Sequence, residues 1–488
     1  MKILYVSSEV VPFAKTGGLA DVAGALPRAL AEQGHDIRIA MPQYGSMDVD
    51  QYPLSPILGE INVHFHNETL GAAVNSAVLP DSEIPVYFIR NDPYFNRKGL
   101  YNEKGVDYPD NARRFAFFCM ATLWMLRALD WKPDVIHTND WQSALIPTYL
   151  KYHPDLKTDD FYSGIKVLYT IHNLAYQGSF DREILKTIGL GWEVYTLEGM
   201  EFYGNINLMK AGIVFSDEIS TVSETYAREI QQEEYGCGLD GVLRARRDQL
   251  TGIMNGIDYT VWNPHVDQLI PVKFSPRSMG GKTRCKKALQ KKNNLPVNKE
   301  IPIIGMISRL ADQKGFDLIS GIVDEMMKLN LQFVLLGTGE PKYHDMFEKI
   351  KTRYPEKAGI NLTFNNRLAH EIEAGSDMFL MPSRYEPCGL NQLYSLKYGT
   401  VPIVRKTGGL ADSITDAAPD SVKAGKGTGF VFEEYSSKAL LDAIKRAVDL
   451  FHNDKKYWKK LRSNGMAADY SWGASAKKYE TLYQKMTG

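Results

Sequence analysis

The strongest restriction on the fold is an alternation of short β-rich runs with longer helical patterns, which recurs along all 488 residues. In the first half, apolar runs typical of buried strands lie at 2–7, 37–41, 85–89, 134–138, 166–171 and 218–222. Helical patterns between them are predicted near 19–33, 110–130, 141–152 and 223–235. This order is typical of a parallel sheet with helices on both faces, so we predict a doubly wound α/β domain.

The same alternation starts again in the second half. Strand-like runs lie at 301–307, 331–336, 360–364, 378–381, 401–404 and 429–432. Helices are predicted near 315–329, 341–353, 389–398 and 436–452. The break between the two sets falls at Val261-Trp262-Asn263-Pro264. We therefore predict two Rossmann-like domains, 1–262 and 263–467, facing each other across a cleft that suits a ligand with two parts.

The segment between the second and third strand-like runs of the first half, 42–82, is weakly alternating. It is predicted to add an extra hairpin to the first sheet.

The charge balance and the cysteines limit the class of partner and the compartment. Lys and Arg total 57 and Asp and Glu total 58, whereas a nucleic-acid or membrane-surface binder needs a basic excess. The balance suits a neutral partner such as a polysaccharide. The four cysteines are scattered without CxxC spacing, so neither a zinc site nor a disulfide framework is indicated. No signal peptide or membrane span is predicted, and we expect a cytoplasmic protein, or a plastid protein if a transit peptide has been removed.

One heptapeptide, KTGGLAD, occurs once in each predicted domain, at Lys15–Asp21 and at Lys406–Asp412. Each copy follows a strand and opens a helical pattern. Paired glycines let backbone N–H groups approach an anion, and a helix N-terminus carries partial positive charge. The alternative for a single copy is a tight turn before a helix. The repetition favours a pair of phosphate-binding segments.

Two further clusters follow strands of the second domain, where open α/β sheets bind their ligands. Arg309 and Lys314 lie in SRLADQKG, directly after the strand 301–307, and suit a diphosphate leaving group. Glu386 lies in SRYEPCG after the strand 378–381, where a carboxylate can accept hydrogen bonds from sugar hydroxyls. The alternatives are a solvated basic turn and an acidic helix start. Cys388, in the same loop, is predicted to be a packed residue rather than a nucleophile.

In the first domain, Asp140 and His172 follow the strands 134–138 and 166–171. A single histidine is more often structural, but two polar residues at neighbouring strand ends that face the predicted cleft favour function. The GTGEPK segment at 337–342 resembles the start of a dinucleotide fingerprint, but Lys342 takes the place of the third glycine. A Rossmann dehydrogenase is therefore disfavoured.

Taken together, KTGGLADV, SRLADQKG, SRYEPCGLNQLYSLKYGT and the second KTGGL resemble bacterial glycogen synthases and plant starch synthases. IHNLAYQG at 171–178 and IMNGIDYTVWNP at 253–264 extend the resemblance over nearly the whole chain. It implies the GT-B fold and transfer of glucose, with retention and without a metal ion or cofactor, to the non-reducing end of an α-1,4-glucan. ADP-glucose is the implied donor, with UDP-glucose as a possible one. A final helix, at about 468–488, is expected to pack back on the first domain.

The resemblance also implies roles for individual residues. Arg309 and Lys314 resemble the pair that holds the diphosphate, Glu386 the carboxylate near the donor glucose, His172 the residue at the glucose ring, and Asp140 the acid beside the reaction centre. The remaining predicted donor-binding residues are Lys15, Gly18, Asp21, Tyr101, Asn255, Phe364, Cys388, Thr407, Gly408, Gly409 and Leu410.

Two positions depart from the pattern of many bacterial members. This chain has Asn139 where they have a second histidine, and Phe364 where they have a purine-stacking tyrosine. For Phe364, a core position at the end of a strand is the alternative.

Other classes remain open at the level of sequence. A catalytically inactive glucan-binding protein is expected to have lost at least one of Lys15, Arg309, Lys314 or Glu386, and all are present. A phosphorylase would require pyridoxal phosphate. Retention itself permits front-face attack or double displacement through an enzyme nucleophile.

Overall fold

The structure is a computed structural model that describes residues 1–65 and 68–488. The chain forms two compact units, which we call the N unit (Met1–Gly256 with Trp472–Gly488) and the C unit (Ile257–Ser471). No helix in the described ranges is long and apolar enough to cross a membrane.

The N unit is built on a nine-stranded sheet with the order β14-β13-β9-β8-β1-β2-β5-β4-β3. Its strands are parallel from β14 to β5, and β3 and β4 are antiparallel. The strands are β1 (Lys2–Val6), β2 (Asp36–Pro42), β3 (Ser55–Phe65), β4 (Glu68–Val78), β5 (Pro85–Arg90), β8 (Val135–Asn139), β9 (Lys166–Ile171), β13 (Glu218–Thr221) and β14 (Leu250–Gly252). All the predicted strands of this half are confirmed, whereas β14 is an edge strand too short to have been predicted.

Two smaller sheets lie in loops of the N unit. A two-stranded one joins β6 (Asn102–Glu103) to β7 (Val106–Asp107), and a three-stranded one contains β10 (Ser179–Asp181), β11 (Glu201–Phe202) and β12 (Asn205–Asn207). The predicted extra hairpin in 42–82 is confirmed as β3 and β4, which extend the main sheet from β5.

The helices of the N unit alternate with these strands, as predicted. They are α1 (Gly18–Ala31), α2 (Asp92–Phe95), α3 (Asn111–Ala128), α4 (Asp140–Ser143), α5 (Leu145–Tyr152), α6 (Pro154–Lys157), α7 (Leu208–Phe215), α8 (Glu224–Glu229) and α9 (Asp240–Ala245). Short 3-10 helices lie at Arg182–Thr187, Trp192–Val194 and Arg247–Gln249. The predicted helix 141–152 is divided into α4 and α5, and the one predicted at 223–235 ends at Glu229.

The C unit has a six-stranded, wholly parallel sheet with the order β17-β16-β15-β18-β19-β20. Its strands are β15 (Ile303–Ile307), β16 (Gln332–Leu336), β17 (Ala358–Asn361), β18 (Met378–Met381), β19 (Val401–Arg405) and β20 (Phe430–Phe432). Each side chain of β16 and β18 is buried, which agrees with helices covering both faces. The strand predicted at 360–364 ends at Asn361, so Phe364 lies beyond it.

The helices of the C unit cover both faces of this sheet. They are α10 (Gly280–Lys292), α11 (Phe316–Ser320), α12 (Val323–Lys328), α13 (Pro341–Arg353), α14 (Asn366–Gly375), α15 (Asn391–Tyr398), α16 (Gly408–Ser413), α17 (Pro419–Lys423), α18 (Ser437–Asn453) and α19 (Lys455–Ala467). Helix α10 was not predicted, because two lysines, Lys282 and Lys286, lie on its buried side and hide the apolar pattern.

The last helix, α20 (Trp472–Thr487), belongs to the N unit and contacts α1. Tyr483 of α20 hydrogen-bonds through its hydroxyl to Nδ1 of the buried His137 at 2.8 Å, and Ser475 donates to the carbonyl of Met254 at 2.6 Å. The first contact joins the last helix to β8, the strand that leads to Asp140, and the second joins it to the segment after β14.

The N unit ends at Gly256 rather than at the predicted 262, and α20 begins at Trp472 rather than at 468. Trp262 falls in the C unit because its ring is stacked between His370 and Tyr394, with ring centroids 3.8 and 3.9 Å away. Asp267 accepts hydrogen bonds from His370 and Tyr398, which holds the His370 ring against Trp262.

Candidate active site

Three neighbouring parallel strands of the N unit, β1, β8 and β9, end next to one another. Glu9 follows β1, Asp140 follows β8, and His172 follows β9. The sheet therefore brings together Asp140 and His172, as the sequence predicts, and adds Glu9, which the sequence analysis did not single out.

Glu9 accepts hydrogen bonds from three residues around it. Its buried carboxylate accepts hydrogen bonds from the backbone N–H groups of Thr16 and Gly17, and from the Thr16 hydroxyl at 2.6 Å. The hydroxyl of Tyr101 donates to the same carboxylate at 2.7 Å. Because Tyr101 lies 92 residues further along the chain, only the tertiary structure brings it to Glu9.

The first KTGGLAD copy therefore has an internal anion at its N–H groups. The Glu9 carboxylate accepts the N–H groups of Thr16 and Gly17. Phosphate binding by Lys15 and Gly18 stays a prediction. Lys15 forms an ion pair with Asp21 at 2.6 Å, and both side chains are partly exposed. The pKa of the Asp21 carboxyl is raised, because burial outweighs the opposing charge of Lys15.

Asp140 adopts a left-handed backbone conformation with φ +53°, which is uncommon for a residue with a side chain and is frequent at functional sites. Its Oδ1 accepts the backbone N–H of His172 at 2.8 Å. Burial raises the pKa of Asp140 to about 7, the negative charge of Glu9 adds to the rise, and the N–H groups of His172 and Asn173 oppose it.

His172 lies against the end of β8. Its Nε2 hydrogen-bonds to Oδ1 of Asn139 at 2.8 Å, and burial lowers the pKa of the ring to about 3. The imidazole is therefore neutral near pH 7, and it can accept or donate a hydrogen bond but carries no charge.

In the C unit, Glu386 is a buried carboxylate that, like Glu9, accepts several hydrogen bonds. It is 6% exposed, and Oε2 of its carboxylate accepts hydrogen bonds from Nζ of Lys314 at 2.7 Å and from the hydroxyl of Ser383 at 2.9 Å. The structure thus joins two residues that the sequence analysis placed in different roles. Arg309 is exposed directly after β15, in the same loop as Lys314.

The loop that carries Glu386 is held by its neighbours on both sides. The carbonyl of Gln313 accepts the N–H of Arg384 at 2.8 Å, and the Gln313 side chain donates to the carbonyl of Tyr385 at 3.1 Å. The side chain of Gln392 donates to the carbonyl of Cys388 at 3.0 Å. Cys388 itself is buried, as the packing interpretation requires.

The second KTGGLAD copy packs against this loop. Gly409 donates its N–H to the carbonyl of Glu386 at 3.1 Å. A Cβ at Gly408 would come within 2.0 Å of the same carbonyl oxygen, and a Cβ at Gly409 within 2.0 Å of the carbonyl of Cys388. Gly408 also has φ +43°. Both glycines are therefore required for the close approach of α16 to the loop.

Three other residues of the second KTGGLAD copy pack or form an ion pair within the C unit. Thr407 and Leu410 are fully buried, and Lys406 pairs with Glu433 at 2.6 Å.

Two further predicted donor-binding residues have informative surroundings. Asn255 is 5% exposed, and its Oδ1 has no hydrogen-bond partner in the described parts of the chain. Phe364 is 83% exposed, which excludes the interpretation as a core residue.

No group of three or more His, Cys, Asp or Glu side chains within 1–65 and 68–488 is arranged to hold a metal ion. Two cations, Arg309 and Lys314, lie in the loop after β15, where Lys314 pairs with Glu386, and can neutralise an anionic ligand.

Comparison with known families identifies both halves of the chain. Residues 2–245 match the family described as starch synthase catalytic domain, and residues 287–465 match the family described as glycosyl transferases group 1. The chain is 48% identical to the glycogen synthase of Geotalea daltonii, covering 99% of this chain and 98% of that protein. It is 46% identical to the glycogen synthase of Thermotoga maritima, covering 99% of each.

Solved structures agree. The catalytic domain of starch synthase IV from Arabidopsis thaliana, bound to ADP and acarbose, superimposes with a TM-score of 0.92 at 33% identity and covers 99% of both chains. A sucrose-phosphate synthase from Thermosynechococcus elongatus shares the fold alone, with a TM-score of 0.59 at 16% identity. The fold is therefore of the GT-B type, as predicted.

The raised pKa of Asp140 gives a prediction about stability. Between its unfolded pKa of about 4 and the folded value of about 7, the native state holds a proton that the unfolded chain has released. Stability therefore falls as the pH rises through this window. Asp140→Asn cannot ionise and tolerates positive φ. We expect it to be more stable than the wild type at pH 8, by up to about 4 kcal/mol, and equal to it near pH 4.

Melting curves of both proteins from pH 4 to pH 8 measure this difference. Asp107→Asn, at an exposed carboxyl of the same unit, is the matched control and should leave the curve unchanged. An Asp140→Asn protein that melts below the wild type at pH 8 would refute the argument.

Proposed function

The matches show that the chain belongs to the family of glycogen and starch synthases, and from this premise we propose a donor, an acceptor and a mechanism. It is a glycosyltransferase of glucan synthesis. We propose that it transfers glucose from ADP-glucose to the non-reducing end of an α-1,4-glucan, with retention of configuration and without a metal ion. We also propose the cytoplasm as its compartment, and the four scattered cysteines without CxxC spacing fit a reducing environment.

The observation that carries the donor proposal is the placement of Arg309 and Lys314 after β15, at the C-terminal edge of the parallel sheet. This edge is where open α/β sheets bind their ligands. Arg309 offers a planar fork of donors and Lys314 a compact charge, a combination suited to a diphosphate. The starch synthase IV domain, which was solved with ADP, supports the same nucleotide here.

The adenine is proposed to stack on Phe364. Its ring is exposed in the loop between β17 and α14, so it has a face available to a base. The loop is fixed by Asn365, whose Oδ1 accepts the N–H of Leu368 at 2.9 Å and caps α14.

Glu386 is the sugar-binding residue that we propose for the C unit. Those that we propose for the N unit are Asp140, His172, Tyr101 and Asn255. The unpartnered Oδ1 of Asn255 supports a ligand contact there. Lys15, Gly18 and Asp21 stay in the proposed donor-binding set. Thr407, Gly408, Gly409 and Leu410, with Cys388, are proposed to act by shaping the loop of Glu386.

Front-face attack is the mechanism that the carboxylates support. Double displacement needs a carboxylate that can attack the anomeric carbon. The Glu386 carboxylate is bonded to Lys314 and Ser383, and Glu9 accepts donors from Thr16, Gly17 and Tyr101. We infer that these ion-pair and hydrogen-bond partners make both carboxylates poorer nucleophiles, because they draw electron density from the carboxylate oxygens. We propose that the acceptor hydroxyl attacks on the leaving-group side, and that catalysis rests on positioning and on charge stabilisation of the diphosphate.

Transfer of radiolabelled glucose to glycogen tests the function. We expect incorporation from ADP-glucose to exceed that from UDP-glucose, and digestion with β-amylase to release the label as maltose, which reports α-1,4 addition at non-reducing ends. Glu386→Gln is the negative control. Preferential use of UDP-glucose would contradict the donor, and incorporation only from glucose 1-phosphate would indicate a phosphorylase.

Stacking on Phe364 predicts a selective effect on the donor. Phe364→Ala should raise the apparent KM for ADP-glucose about 10-fold, the usual cost of losing one base–aromatic stack. The melting temperature should not change, because the side chain is 83% exposed. Phe364→Tyr should retain activity, and Val297→Ala, at another exposed apolar residue of the C unit, should change neither quantity. An unchanged KM in Phe364→Ala would count against the stack.

A further inference from the structure

Asn139 is the last residue of β8 and is fully buried beside His172. Its Nδ2 donates to the carbonyl of Val6 at 3.0 Å and more weakly to that of His137 at 3.4 Å. Its Oδ1 accepts the hydroxyl of Tyr5 at 3.0 Å and meets Nε2 of His172 at 2.8 Å. Both ends of the amide are therefore satisfied within the N unit.

These partners fix the orientation of the amide. Carbonyl oxygens only accept hydrogen bonds, so the side of Asn139 that faces Val6 must be its NH₂ group. The oxygen then has to face His172. Because that oxygen cannot donate, the proton between the two side chains belongs to Nε2 of His172.

A neutral imidazole carries a proton on one nitrogen only. With the proton on Nε2, Nδ1 presents a lone pair, and within 1–65 and 68–488 Nδ1 makes no hydrogen bond. The same histidine is also held at its backbone, since its N–H donates to Asp140. Two consecutive residues, Asn139 and Asp140, thus fix the ring and the main chain of His172.

We propose that Asn139 is a positioning residue, which holds His172 as the Nε2-protonated tautomer so that Nδ1 accepts a hydrogen bond from a sugar hydroxyl. The sugar partner rests on the proposed function, whereas the tautomer does not. In this tautomer His172 is a fixed hydrogen-bond acceptor.

The tautomer is measured directly by ¹⁵N NMR of histidine-labelled enzyme, with the His172 signals identified by their loss in His172→Gln. In the wild type we expect Nδ1 to resonate as an unprotonated nitrogen and Nε2 as a protonated one. Asn139→Leu removes the acceptor and should yield a mixture of tautomers. Asn139→Asp retains an acceptor oxygen towards His172, and its other oxygen can donate to Val6 when it is protonated, so this variant should keep the wild-type signature.

Tyr5→Phe is the matched control, because it removes the other hydrogen bond to the same oxygen and does not touch His172. It is expected to lower stability but to leave the tautomer and kcat unchanged. Asn139→Leu should lower kcat on the order of 10-fold, with a smaller effect on the KM for the glucan. This contrast separates positioning from general loss of stability.

A proton on Nδ1 in the wild type would overturn the inference, as would an Asn139→Leu enzyme with the wild-type tautomer and kcat. If Asn139→Leu does not fold, the spectra of the wild type and of Asn139→Asp still show whether His172 carries its proton on Nε2. A normal tautomer together with no glucose transfer would refute the proposed function and leave the assignment of Asn139 intact.

Discussion

The buried carboxylate of Glu386 is the point on which the organisation of the C unit depends. Its side chain binds Lys314 from the loop after β15, and its backbone carbonyl accepts the N–H of Gly409 from the segment after β19. Three strand ends of one sheet are therefore tied to a single residue. The ion pair is only slightly exposed, so removing either partner would leave an uncompensated buried charge. This arrangement places the cation of Lys314 beside the proposed sugar site.

The two KTGGLAD copies show how one sequence serves two structural roles. In the N unit, the carboxylate of Glu9 accepts the N–H groups of the first copy. In the C unit, it is the main-chain carbonyl of Glu386 that accepts the second copy. The first copy is thus anchored to a glutamate of its own loop, between β1 and α1, and the second to a glutamate at the neighbouring strand end of β18. The charge for a diphosphate is proposed to come from the side chains of Arg309 and Lys314.

Much of this could be predicted from the sequence, because the strand-end rule for α/β sheets locates Asp140, His172, Arg309, Lys314 and Glu386 without tertiary information. Glu9 also follows a strand, β1, but nothing in the sequence singles it out, because its contact with Tyr101 is made only when folding brings a distant loop to it. The pairing of Lys314 with Glu386 could not be predicted either, because the two residues lie 72 positions apart in the sequence. Helix α10 was missed because Lys282 and Lys286 are buried within it, which a hydrophobic pattern does not reveal.

The central claim is that Arg309 and Lys314 together stabilise the charge of the departing diphosphate. The most direct test is the kcat of Arg309→Ala and of Lys314→Ala, measured with ADP-glucose and glycogen in buffer that contains EDTA, in which the wild type is expected to be fully active. The account predicts a fall in kcat on the order of 10²-fold or more for each variant, with little change in the KM for glycogen. Near-normal turnover in both variants would contradict it.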